Sequence, residues 1–353
     1  MSTLSSATPA GDVKDSTAPP GATNPAGGAG ATDPDGGTGA GFHGPSTGSG
    51  TGTRPALAAG EQLGSAAGER LVSATGVPVR PSAPRAAVRL LASELGLTFR
   101  KPRNIAMLIV LACVPVLLGV VLRVVGGDND APSLITQVAG NGLMLTFAAM
   151  TLLVELLLPL AVAVVAGDAI AGEAGGGTLR YLLTAPAGRT RLLAVKFANV
   201  SVFALVACSV VAAAALITGF ALFPVGPVTL LSGSTISIAD GLLRILIVTG
   251  YAAAGMAALG AVGLAVSTLT EVPIGAVAAT VVGVVFSHVL SVIPQLEPVR
   301  PYLLTSWWSS FDGALRDPVA TDVMTQGLLV FAAYTVICGS LAWARFSSRD
   351  ITS

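Results

Sequence analysis

The chain has 353 residues, 52% of them apolar and 11% charged, with 19 Lys and Arg against 19 Asp and Glu. A mean hydropathy of +0.77 is far above that of a soluble domain and indicates a protein that crosses the membrane several times. The zero net charge gives no reason to expect nucleic acid. Cys113, Cys208 and Cys338 all fall inside apolar runs, where cysteine acts as a small hydrophobe, so neither a disulfide framework nor a metal site is expected.

Residues 1–83 are Gly, Pro, Ala, Ser and Thr with few aliphatic side chains. They cannot bury enough apolar area to offset their chain entropy, and a disordered tail is expected. No basic stretch leading into an apolar core occurs near Met1, so no cleaved signal peptide is expected. Residues 84–353 form the membrane domain. Its first element, 84–100, carries Val88, Leu91, Leu95 and Phe99 at helical spacing and Arg85, Arg89 and Ser93 on another face. That pattern describes a helix lying in the membrane interface, closed by Arg100, Lys101 and Arg103.

A span needs about 20 apolar residues to cross about 30 Å of hydrocarbon. The sequence offers about six, at 105–125, 142–166, 197–223, 245–266, 272–293 and 327–344, so the fold class is an all-α membrane protein. Pro115 and Pro159 predict kinks. Only a short polar step at 267–271 separates the fourth and fifth spans, which a single tilted helix could not absorb. Ala253, Ala257, Ala261 and Ala265 form a small-residue ladder, as do Gly275, Ala279 and Gly283; such stripes suit close packing of that hairpin.

Between the second and third spans lies the loop 168–196, where charge concentrates. Asp168 and Glu173 follow the apolar run, and Gly175, Gly176 and Gly177 break the helix. Thr178 caps a short helix whose Leu179, Leu182 and Leu183 share a face, and Pro186 stops it. Arg189, Arg191 and Lys196 lead back into the membrane. Six spans put this loop, 267–271 and both termini on one side, with Arg80, Arg85, Arg89, Arg345 and Arg349 among its charges. The other side holds Arg300 and Arg316 in its loops, with Arg123 and Arg244 at span ends. This bias places both termini in the cytoplasm.

Few polar residues fall within the spans. Glu155 is in mid-span, where an ionised carboxylate costs roughly 2.5 to 3.5 kcal/mol, so it should face protein or water. A substrate or proton role and a structural hydrogen bond both fit it. His288, flanked by Ser287 and Ser291, reads as an interhelical hydrogen bonder. In the last outer segment, 294–326, Leu304, Trp307, Trp308, Phe311 and Leu315 recur at helical spacing. A short helix at the outer surface is expected, either a lid over an exit path or an aromatic anchor. No G-x-x-x-x-G-K-[ST] or H-E-x-x-H motif and no Cys/His cluster occurs, and the G-x-S-x-G spacing at Gly44–Gly48 falls in the Gly/Pro-rich tail without the strand and helix patterns a nucleophile elbow needs, so no catalytic role is expected of this chain.

The loop resembles the one between the second and third spans in permease subunits of type-2 ABC exporters. These read as an acidic residue, E-x-x-x-G-T-L, L-L-x-x-P-x-x-R and a Lys. Here those positions are Asp168, Glu173, Gly177, Thr178, Leu179, Leu182, Leu183, Pro186, Arg189 and Lys196. Phe346, Arg349, Asp350 and Ile351 match an F-x-x-R-D-I ending frequent in the same family. Gly175 and Gly176 depart from it, standing where charged residues are common. The resemblance implies an export permease in the plasma membrane that forms the pathway with a second permease chain, as homo- or heterodimer. It also implies a separate ATPase subunit that holds ATP and Mg and grips 173–183 as a coupling helix. A proton-coupled secondary transporter using Glu155, and a membrane scaffold or immunity protein, stay open beside it.

Overall fold

The computed structural model describes residues 83–125, 141–176, 188–224, 226, 228–229 and 235–348. The expected tail up to residue 82 and the loop residues Gly177, Thr178, Leu179, Leu182, Leu183 and Pro186 lie outside them, as do Arg349, Asp350 and Ile351. Among the described residues six helices are long and apolar enough to cross a membrane, as the hydropathy pattern predicts.

Helix α1 (Ala83–Arg100) ends two residues before Pro102, which restarts the chain as α2 (Pro102–Val125). Proline disfavours helical backbone in the residue before it and suits the first helical position, so Lys101 becomes the elbow. Of the expected apolar face of α1, Phe99 lies on protein, its ring 5.9 Å from that of Phe203, Leu91 and Leu95 are half-buried, and Val88 is exposed, as is Leu97.

The second span is not continuous. It breaks at Leu156 (φ −137°, ψ −58°) into α3 (Gly142–Glu155) and α4 (Leu157–Gly175). Pro159 has no N–H for the Glu155 carbonyl and its ring crowds that carbonyl, which puts the break there. Helix α2, by contrast, runs unbroken through Pro115. A second correction concerns the loop: α4 continues through Asp168 and Glu173 to Gly175, and α5 (Arg189–Leu222) already contains Lys196. Hydropathy registers where hydrocarbon ends, whereas backbone hydrogen bonding carries a helix beyond it.

Two short strands, β1 (Val228–Thr229) and β2 (Thr235–Ile236), pair antiparallel and add a small ribbon to the all-α expectation. Helix α6 (Ile238–Leu269) is the most buried span and packs against α4, α5, α7 and α8. A turn through Thr270 and Val272 leads into α7 (Pro273–Val292). The buried face of α7 is Ala276, Thr280 and Val284. Gly275, Ala279 and Gly283 are exposed, so that stripe does not build the hairpin contact expected of it. Helix α8 (Thr321–Ser348) closes the bundle.

Between α7 and α8 the expected surface helix is replaced by three 3-10 turns, Pro294–Tyr302, Leu304–Trp307 and Ser310–Leu315. Trp308 and Phe311 are each 1% exposed in the central core, so neither is an aromatic anchor. The segment is pinned from three helices. Arg244 donates to the carbonyls of Ala314 (2.5 Å) and Arg316 (2.7 Å). Tyr251 donates to Trp307 O (3.0 Å), Tyr334 to Tyr302 O (2.9 Å), and Ser287 and Thr305 share a hydrogen bond (2.6 Å).

At the end of the bundle away from Asp168, α3 and α5 cross at bare backbone. A Cβ on Gly142 or Gly219 would collide with the other's carbonyl oxygen, and Gly142 N–H donates to Pro224 O at 3.2 Å. Overpacking ordinarily costs 1 to 3 kcal/mol, roughly, and a backbone partner cannot repack. Gly219→Val is therefore expected to lose about 3 kcal/mol or more, read as a lowered thermal midpoint of the purified protein, while Gly283→Val, in open space, should leave it unchanged.

Candidate functional site

At the α1 end of the bundle, three helices meet around one lysine. The Lys196 side chain, 3% exposed, reaches Glu173 at 2.5 Å on α4 and Glu94 at 3.6 Å on α1. An ammonium group so removed from water needs partners, and two carboxylates provide them. One turn away Asp168 accepts from Lys101 (2.7 Å) and Arg103 (3.1 Å) at the elbow. These cations are about half exposed, at 51% and 49%, so their pairing is partly screened by solvent.

Neutral hydrogen bonds complete the junction. Thr98 accepts from Asn199 at its hydroxyl and from Asn104 at its carbonyl, both at 2.8 Å. Ser267, on the last turn of α6, donates to Gly167 O (2.7 Å) and accepts from Ala171 N–H (2.9 Å) and Ile170 N–H (3.2 Å). Its hydroxyl is thus wedged into the backbone ladder of α4 between Asp168 and Glu173. Glu94, Asp168, Glu173, Lys196 and Asn199 line a polar cavity of about 310 Å³. Beneath it Leu192, Leu193, Ala342 and Phe346 form a small apolar cluster, which gives the phenylalanine of the C-terminal motif a packing role.

A second polar group lies at the break in the second span. Glu155 Oε2 is 3.7 Å from His288 Nδ1 on α7, and the His288 ring stands edge-on to Trp308 at 5.8 Å. His288 Nε2 and Trp308 Nε1 are buried with no hydrogen-bond partner among the described residues. Glu155 and His288 keep 42% and 32% of their side-chain surface exposed. Because Glu155 is thirteen residues from both Gly142 and Asp168, it sits midway along the broken span.

The structure therefore joins Asp168 and Glu173 to the elbow and to α5, and Glu155 to His288 and Trp308. Trp307 stands apart, donating to Pro301 O at 2.8 Å, and Phe311 belongs to the core. Arg189 is the first residue of α5. Glu94, Thr98, Asn104, Asn199 and Ser267 are participants that hydropathy reading passes over. Their signal is a polar residue at a span end, which marks an unmet hydrogen bond and names no partner.

A family model described as ABC-2 family transporter protein matches residues 99–287, a stretch that contains Asp168, Glu173, Lys196 and Glu155. The chain belongs to this ABC-2 transporter family. It is also similar to the protein named "Probable ABC transporter permease protein NosY" of Pseudomonas aeruginosa, with 48% identity over 61 residues, 17% of this chain. The matched stretch spans 22% of that relative's length. With six helices able to cross a membrane, this ABC-2 family member is a multi-pass membrane protein.

The two ion-pair groups at the junction differ in burial, and their loss should differ accordingly. Lys196→Met removes the buried ammonium that Glu94 and Glu173 face and is expected to cost about 3 to 5 kcal/mol. Asp168→Asn affects half-exposed partners and should cost about 1 kcal/mol or less. Thermal unfolding of the two variants side by side checks the order.

Proposed function

We propose that this ABC-2 family member is the permease subunit of an ATP-driven exporter in the plasma membrane, with both termini in the cytoplasm. Two permease chains form the pathway. ATP and Mg are held by a separate ATPase subunit, and this chain performs no hydrolysis. The observation that carries the reading is the junction at Lys196. Helices α4 and α5 lead into and out of the loop 177–187, and one buried lysine joins both of them to α1. Force applied to the loop by a closing ATPase would thus reach four helices as one rigid unit, because Asp168 adds α2.

Within this reading the junction carboxylates and the loop have different tasks. Asp168 and Glu173 face their own chain, so they transmit movement, while Thr178, Leu179, Leu182, Leu183, Pro186 and Arg189 supply the surface for the ATPase. Apolar area gives such a contact its energy and the flanking charges its register. A second reading, proton-coupled transport, draws on the Glu155–His288 pair, two titratable groups at mid-span beside a helix break.

Reconstitution with the ATPase subunits of its own organism tests both. Flux that needs ATP hydrolysis supports the exporter; flux driven by a proton gradient without ATP supports the second reading; insertion with neither flux points to a scaffold or immunity role. Leu182→Asp should abolish co-purification of the ATPase while membrane insertion and thermal stability stay normal. Glu173→Lys should abolish it together with a fall in stability, since it sets a second cation against Lys196.

A further inference from the structure

Outside the two polar groups, the surface of α2 carries a feature the exporter reading does not use. Among the described spans α2 has the highest mean hydropathy, 3.1, and it leaves Ile109, Val110, Leu117 and Val121 exposed. Such a surface meets acyl chains or another protein chain. Beside it a groove of about 300 Å³ runs between α2 and α4, walled by Ala106, Val110, Leu157 and Leu160 with Arg103 at its mouth. Apart from Arg103 every lining side chain is apolar. At hydrocarbon depth such a groove is filled by an acyl chain or by another protein, since water has nothing there to bond. The run from Arg103 to Val110 is about 10 Å at 1.5 Å per residue, within the roughly 15 Å of one leaflet.

The mouth decides between occupants. Lys101 and Arg103 both pair with Asp168 and exposed Arg100 adjoins them; with Lys196 against Glu94 and Glu173 in the adjoining cavity, four cations stand beside three carboxylates, so positive charge is in excess by one. Asp168 occupies one guanidinium N–H of Arg103, and an arginine has five. Half of the Arg103 side chain is exposed. A phosphate can accept from the remaining donors without breaking the pair. Basic pockets between spans near the membrane surface bind anionic headgroups by this chemistry.

We propose that the groove between α2 and α4 is a binding site for one anionic glycerophospholipid. One acyl chain lies against Val110 and Leu160, and the phosphate rests on Arg103 and Lys101. The inner end of the groove is at Leu157, the first residue after the break, so the chain end abuts the break in the second span. A diester phosphate alone is offset by the choline of a zwitterionic lipid; phosphatidylglycerol lacks that offset.

Native mass spectrometry of the full chain, released from detergent with defined lipids, tests the site without transport. Phosphatidylglycerol is expected to bind about tenfold more tightly than phosphatidylcholine, the size of one charge-assisted contact. Arg103→Ala should erase that preference. Ala106→Phe, at an exposed position where added volume enters the groove and not the core, should weaken both lipids while thermal stability is kept. If Arg103→Ala fails to fold, Arg103→Gln takes its place, with the same expectation. Equal binding of the two lipids, an undiminished preference in the arginine variant, or unchanged binding in Ala106→Phe each overturns the proposal. So does competition by inorganic phosphate at equal concentration, which marks an anion site without a chain. Because none of these readouts uses ATP or flux, their failure leaves the exporter reading standing, and the reverse holds.

Discussion

A lysine ammonium buried to 3% exposure is tolerable only when its charge is met within the protein, and the architecture at this end of the bundle follows from that constraint. Lys196 requires Glu173 and Glu94 within reach, which brings α1 against α5 and ties both to α4 through the lysine. The elbow at Pro102 then places Lys101 and Arg103 over Asp168. A buried pair of this kind contributes little net stability compared with apolar packing, because both charges have been desolvated. What it contributes is register: α1, α4 and α5 have one arrangement in which no charge is stranded.

The same accounting explains the irregular parts of the membrane domain. Pro159 frees the Glu155 carbonyl, and the break that results lies at a surface of the bundle, with Leu156 61% exposed. The side chain of Glu155 then finds His288. At the far end, the segment 294–320 brings non-helical backbone into the bundle, and Arg244, Tyr251, Ser287 and Tyr334 satisfy it. Trp308 and Phe311 fill the volume between α6, α7 and α8.

Burial is distributed unevenly among the spans, and the pattern has functional content. Helix α6 is surrounded by protein, whereas α2, α7 and α8 leave most of their apolar area uncovered. Those faces meet lipid or a second copy of the chain. The lipid groove on α2 and the half-exposed Glu155–His288 pair occupy such surfaces, one purely apolar with a basic rim, the other ionisable. Their chemistry suits different surroundings, hydrocarbon for the first and a wet or protein-covered space for the second.

By itself the sequence determined the number of spans, the turn between the fourth and fifth, and the family to which the loop motif belongs. Each rests on local information: apolar length against bilayer thickness, or residue spacing. Tertiary structure decided the rest. That Asp168 and Glu173 turn inward, that Glu155 meets His288, that Gly275, Ala279 and Gly283 face outward while Ala276 and Thr280 face in, and that Trp308 fills the core are all matters of which surfaces helices present to each other. Hydropathy at these positions is nearly the same for a protein neighbour as for lipid, so the pattern along the chain carries no record of the choice. Pairing between distant positions, from 23 residues apart for Glu173 and Lys196 to 133 for Glu155 and His288, does.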